Sequence, residues 1–150
     1  MTQAVRDALL DGFGAALVRF ANFLDGVPPE ALDAPMPGKD PSVRDVLAHV
    51  VDAAYRHVIY VARNCGGSTP TRQFQLEDRR DLAAVRIGLT DAVRHARAAL
   101  ATVDDAALRG PRFAGRGGGD YDGEQMLEHA IVHLYRHERQ LRRHGFGRAT

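Results

Sequence analysis

A chain of 150 residues that is 45% hydrophobic and 26% charged has the length of one domain and the composition of a globular protein. Its formal net charge of +1 gives no overall field to attract nucleic acid or an acidic membrane. The chain has no apolar run of about 18 residues, so we predict no membrane span and no membrane partner. A single cysteine, Cys65, excludes an intrachain disulfide and fits a reducing compartment. We therefore expect one cytoplasmic domain over residues 1–150, without a secretory signal.

The first half of the chain predicts two helices joined by a connector. Residues 3–25 place apolar side chains at steps of three and four, which is typical of one face of an amphipathic helix. Residues 25–41 hold five of the seven prolines, which oppose helix continuation. The second helix is predicted to begin after Ser42, which can cap its first turn with Asp45 three residues on, and to end at residues 64–67. A loop is expected from residue 65 to about 77.

The second half predicts two further helices. One runs roughly from Arg80 to Val103, and the last begins after Asp122, with Gln125 three residues on, and ends near His144. Between them, RGPRFAGRGGGDYDG is so rich in glycine that we expect a surface loop without a regular element, rather than an RNA-binding segment. No segment has the two-residue period of a strand. The sequence thus predicts an all-α fold, a four-helix bundle with long connectors, in which simple up-down topology is not assured.

Three histidines stand four residues apart in EHAIVHLYRHERQL, residues 128–141: His129, His133 and His137. At about 100° per residue, His133 and His137 lie at the shoulder of the apolar stripe of the last helix. His129 lies further round, toward solvent or a neighbouring helix. The three histidines are therefore not equivalent.

Two imidazoles one helical turn apart can bind one ion, but a good site needs a third ligand. The remaining histidines are His49, His57, His95 and His144. On the second helix, His57 lies within the apolar stripe and suits a packed position, whereas His49 lies on the polar side with Asp45 and Asp52. Direction alone does not choose between them. The spacing also fits a bundle whose histidines bind nothing, because such pairs are common on amphipathic helices.

The segments SVRDVLAHV at 42–50 and MLEHAIVHLYRHERQL at 126–141 together resemble the DinB/YfiT-like superfamily of metal-dependent enzymes, which are four-helix bundles of about this length. Residue by residue, the resemblance implies that His49, His133 and His137 are metal ligands and that Gln140 is the polar residue that trails the pair. Relatives often carry tryptophan just before the second helix, where this chain has Pro41. His129 is additional to the minimal triad: it could hydrogen-bond to a ligand, bind a second ion weakly or be solvated, and we favour solvation.

The resemblance implies a three-histidine divalent-metal site with a thiol-dependent S-transferase or isomerase activity, or a hydrolase activity, on a small-molecule substrate. Three imidazoles leave an ion open to water or substrate, and such an ion lowers the pKa of bound water or holds a thiolate. Zinc or nickel suits this ligand set best, and iron or manganese remains compatible. A low-molecular-weight thiol would be a second cofactor. The alternative is a non-catalytic binding or stress-response bundle without functional metal.

Residues around the triad are candidates for orienting its rings. Asp52 lies one turn from His49 and could accept a hydrogen bond from its second ring nitrogen. His129 and Gln140 are the other two candidates. The sequence identifies no catalytic side chain, and a homodimer is left open as the assembly.

Overall fold

The computed structural model describes residues 2–68 and 81–147. Within them the chain forms five helices and one small hairpin: α1 (Ala4–Phe23), α2 (Val43–Cys65), α3 (Leu82–Ala99), α4 (Asp105–Arg109), β1 (Phe113–Ala114), β2 (Asp120–Tyr121) and α5 (Gly123–Arg143). Two short 3-10 turns, Leu24–Gly26 and Pro29–Asp33, interrupt the proline-rich connector. The prediction of an all-α four-helix bundle is confirmed.

The four long helices pack around one core. Both α1 and α2 pack against α3 and α5, so α1 and α2 occupy diagonally opposite positions. The connector after α1 therefore crosses one end of the bundle, which explains why it is longer than a hairpin between adjacent helices needs. The adjacency of α2 and α5 brings the two histidine-bearing helices together. All four helices contribute to the largest fully buried side chains, which include Phe13, Phe20, Leu47, Tyr55, Leu89 and Leu127.

Local capping signals set the ends of these helices. The Ser42 hydroxyl accepts a hydrogen bond from the Asp45 amide at 3.1 Å, as predicted for the start of α2. Gly66 then ends α2 with φ of 81°, a left-handed conformation that glycine adopts without strain. The predicted capping box of Asp122 and Gln125 is also confirmed at the start of α5. Helix α3 is shorter than predicted at both ends. Asp81 caps its first turn through the Ala84 amide, and the helix ends at Ala99 instead of near Val103.

The glycine-rich segment before α5 is not a loop without regular structure, so that prediction was wrong. Phe113 pairs with Tyr121 and Ala114 with Asp120 in an antiparallel hairpin. The glycines make room for the Tyr121 ring: a Cβ on Gly115 or Gly119 would lie 2.9 Å or 2.8 Å from it. Glycine here lets the backbone approach an aromatic ring closely, rather than only breaking regular structure.

The short helix α4 was not predicted either. Asp104 caps it by accepting a hydrogen bond from the Ala107 amide at 2.8 Å. A five-residue helix is too short to show a helical period in the sequence. The loop predicted from residue 65 to about 77 lies mostly outside the described residues, which stop at Ser68 and resume at Asp81.

A buried arginine fixes the start of α1 to the turn between α3 and α4. Arg6 is 9% exposed, and its Nη1 donates to the carbonyls of Leu100, Ala101 and Val103 at 3.2, 2.9 and 3.1 Å. The Asp105 carboxylate accepts from the Arg6 amide at 2.9 Å. These contacts satisfy backbone groups that have no helical partner. None of the helices in the described ranges is both long and apolar enough to traverse a bilayer.

Candidate metal centre

Three histidine side chains converge between α2 and α5. His49 Nε2 lies 3.0 Å from His133 Nε2, and His137 Nε2 lies 3.2 Å from the same atom. The ligand atoms of all three side chains lie within 4.8 Å of one another. His133 is buried, while His49 and His137 are half-buried. The four-residue spacing on α5 supplies two rings of the group, and the packing of α2 against α5 supplies the third.

The geometry of this group fits a single divalent ion. At roughly 2.0–2.1 Å from nitrogen to zinc, two ligands in a tetrahedral site stand about 3.3 Å apart. The spacings of 3.0 and 3.2 Å around His133 Nε2 are close to that value. A neutral imidazole carries only one N–H, so the pairwise contacts around His133 cannot all be hydrogen bonds. A cation shared by three lone pairs accounts for their convergence more completely.

The electrostatic environment keeps the three imidazoles neutral, which is the form that binds metal. Burial, which is the largest cause, and the neighbouring His137 together lower the pKa of His133 to about 2. Burial is also the largest cause of the lowered pKa of His49 and of His137. Near neutral pH each ring therefore offers a lone pair rather than a second N–H.

Of the residues predicted to orient the rings, Gln140 forms a hydrogen bond with His137, whereas Asp52 is paired with an arginine. The Nδ1 of His137 donates to Gln140 Oε1 at 2.7 Å, which leaves Nε2 of His137 as the lone-pair nitrogen directed at the other two histidines. Asp52 instead forms an ion pair with Arg56 one turn along α2. Within the described residues, no hydrogen bond joins Asp52 to His49.

Two further histidines extend the cluster. His57 is 6% exposed, its ring centroid lies 5.2 Å from that of His133, and its Nδ1 has no hydrogen-bond partner among the described residues. His129 lies between His57 and Tyr121, with ring centroids 4.9 and 5.6 Å away. The expectation that His129 is merely solvated was wrong, because the hairpin, which was not predicted, brings Tyr121 against it.

The remaining histidines stand apart from the triad. His95 is buried on α3, with its ring 4.9 Å from that of Tyr55. His144 is exposed at the end of α5, where its Nδ1 donates to the Gln140 carbonyl at 2.9 Å. Neither belongs to the group whose ligand atoms converge.

The triad opens into a cleft of about 900 Å³. Its walls come from α2, α5, the connector at residues 37–40 and the hairpin, which contributes Arg116 and Tyr121. Sequence reasoning missed these two residues as part of the site. The alternation of glycine with charged and aromatic residues in RGPRFAGRGGGDYDG was the available signal, but its place beside the histidines depends on tertiary packing. A cleft of this size has room for a small molecule next to the converging nitrogens.

A family model described as the DinB superfamily matches residues 13–141. The match runs from the middle of α1 to the last turn of α5 and includes all three converging histidines. No curated protein and no solved structure matched the chain. The family match covers most of the sequence and agrees with both the helical bundle and the segments at 42–50 and 126–141. The chain belongs to the DinB superfamily.

Proposed function

We propose that this protein is a metal-dependent enzyme that holds one divalent ion through His49, His133 and His137. The observation that carries the proposal is the convergence of three neutral imidazole nitrogens, from two helices, at the edge of an open cleft. Structural metal sites in proteins are usually closed by four protein ligands, whereas catalytic sites keep a position free. Three ligands beside a cleft match the second pattern.

The chain's own residues have distinct roles in this proposal. His49, His133 and His137 bind the ion, and Gln140 holds the ring of His137 in the required tautomer. His57 and His129 pack beside His133 and form part of the wall of the cleft. The bound ion supplies Lewis acidity, which can activate a water molecule or the sulfur of a thiol.

We propose one of two reaction classes. The first is a thiol-dependent S-transfer to a small molecule, or its isomerisation with the help of a low-molecular-weight thiol. The second is hydrolysis of a small molecule. The superfamily resemblance is the basis for naming these two classes. They differ in whether a thiol reaches the metal. In protein loaded with cobalt(II), addition of a thiol that binds the ion would produce a sulfur-to-metal charge-transfer band, whereas a hydrolase would show activity without any thiol.

Elemental analysis of protein purified without a histidine tag tests the metal site. We expect stoichiometric divalent metal in the wild type, and loss of that metal in His49→Ala, His133→Ala and His137→Ala. His144→Ala is the matched control, because its side chain is exposed and lies outside the converging group. Equal metal content in all four variants would contradict the ligand assignment.

The alternative, a non-catalytic bundle, makes the opposite prediction. Its histidines would be packed or solvated groups, so mild purification would give no metal, and a chelator would leave thermal stability unchanged. A metal-holding site gives a lower melting temperature after chelation, because an ion that binds only the folded state stabilises it by mass action.

A further inference from the structure

The arginines around the cleft differ from those elsewhere in the chain. Ten of the fifteen arginines in the described ranges form an ion pair with a carboxylate. Arg63 and four others have no such partner there. Those four all line the cleft: Arg116, Arg136, Arg139 and Arg143. Unpaired arginine charge is thus concentrated where the converging histidines open to solvent, although the whole chain has a net charge of only +1.

Other charges at the cleft do not cancel this excess. Asp40 is the one acidic residue among the described residues that line it, and it stands next to Lys39. Arg56 also lines the cleft, but Asp52 balances its charge. A concave surface with charge of one sign attracts counter-ions more strongly than a flat one.

The arginines of α5 share one face of the helix, roughly 100° round from the face of the converging histidines, and both faces line the cleft. Arg136, Arg139 and Arg143 are separated by three and four residues, so they form a stripe about 10 Å long. Arg143 lies in the last turn, where a cation also interacts favourably with the helix dipole. The helix dipole does not explain Arg136 and Arg139, which precede the last turn, or Arg116, which approaches from the hairpin. All four side chains are exposed and can reach a ligand.

We propose that the cleft binds a small molecule with two or more anionic groups, carboxylates or phosphates, which the arginines of α5 and Arg116 hold beside the histidine triad. Guanidinium groups bind both kinds of oxyanion through paired N–H donors, so they recognise the negative charge and the spacing of two oxygens. This inference rests on the proposed function, since it names the substrate class of the same site. It assigns Arg136 and Arg139 to substrate binding and leaves the metal to the histidines.

The test is calorimetric titration of the full-length protein with two probes, succinate for carboxylates and inorganic pyrophosphate for phosphates. The metal content of each sample is measured in parallel. The variant is the double substitution Arg136→Gln and Arg139→Gln, which removes two charges without touching a histidine. Arg63→Gln is the matched control, because Arg63 is also exposed and unpaired within the described ranges but does not line the cleft.

We expect at least one probe to bind the wild type and to bind the double variant about tenfold or more weakly, as loss of hydrogen bonds to charged groups implies. Arg63→Gln should bind like the wild type, and metal content should be the same in all three proteins. The probe that binds identifies the anion. Absence of binding for both probes, or equal binding by the double variant, would overturn the inference.

The two proposals can fail separately in this experiment. Protein that carries metal but binds neither probe refutes the anion site and leaves the metal centre standing. Protein that carries no metal but binds a probe through Arg136 and Arg139 supports the anion site and refutes the metal-dependent function. Binding that disappears in His133→Ala but persists in the double arginine variant assigns the anion to the metal alone, and it overturns the arginine site.

Discussion

Truncation of Gln140 to alanine tests how the protein orients its metal ligands. Gln140 lies outside the triad, but its Oε1 accepts a hydrogen bond from His137 Nδ1 at 2.7 Å. That bond keeps the proton on Nδ1 and the lone pair on Nε2, which is the atom directed at His133. Without it the ring can rotate or exchange tautomers, and either change removes a correctly placed ligand atom. We therefore expect Gln140→Ala to weaken metal binding while the fold is retained.

The magnitude follows from the geometry of this contact. A distance of 2.7 Å is at the short end of the range for N–H···O hydrogen bonds, so the interaction is well formed. Loss of such a partner typically costs 10–100-fold in metal affinity, or roughly 1.4–2.7 kcal/mol. Gln140 is half-buried, so water can partly replace the amide oxygen. We expect the lower end of that range, about tenfold.

Competition with a chromophoric chelator measures this affinity directly. Gln140→Glu keeps an acceptor for Nδ1 and should retain the affinity of the wild type. Gln125→Ala removes a glutamine that caps the first turn of the same helix, so it controls for a general loss of helix stability and should not change metal binding. Unchanged affinity in Gln140→Ala, or equal losses in Gln140→Ala and Gln125→Ala, would refute the view that the Gln140 contact orients His137.

Two further predictions concern stability. Arg6→Met should lower the free energy of unfolding by about 3 kcal/mol in urea denaturation, because three backbone carbonyls lose a charged donor and Arg6 itself is buried. An unchanged urea midpoint would refute a stabilising role for Arg6. The metal-free protein should lose stability as the pH falls below 6.5, because burial lowers the pKa of His57 to about 3 and that of His133 to about 2. Below pH 6.5 the unfolded chain binds protons that the folded chain does not, so acid favours unfolding. A urea midpoint that is independent of pH between about 7 and 5 would contradict the burial of neutral imidazoles.

Local signals made the helices and their caps predictable. Ser42, Gly66 and the pair of Asp122 and Gln125 act on amides or carbonyls within a few residues, so sequence order alone reveals them. The fold class follows from these elements, because four amphipathic helices of this length must bury their apolar faces against one another.

The details that depend on distant contacts could not be predicted in this way. Helix geometry placed His133 and His137 together, but it could not choose between His49 and His57, because that choice depends on how α2 is rotated against α5. The hairpin depends on the Tyr121 ring packing over two glycines, and its position beside His129 depends on the whole bundle. The grouping of unpaired arginines was equally hidden, since it appears only when their acidic partners are known.

The metal content of the wild type and of His133→Ala, purified without a tag, tests the central claim most directly. His133 Nε2 is the atom that both other histidines approach, at 3.0 and 3.2 Å, so its removal should abolish the site rather than weaken it. We predict about one equivalent of divalent metal in the wild type, and none in a His133→Ala variant that retains its helical circular dichroism. A wild type free of metal, or a folded His133→Ala variant that still carries an equivalent, would contradict the account.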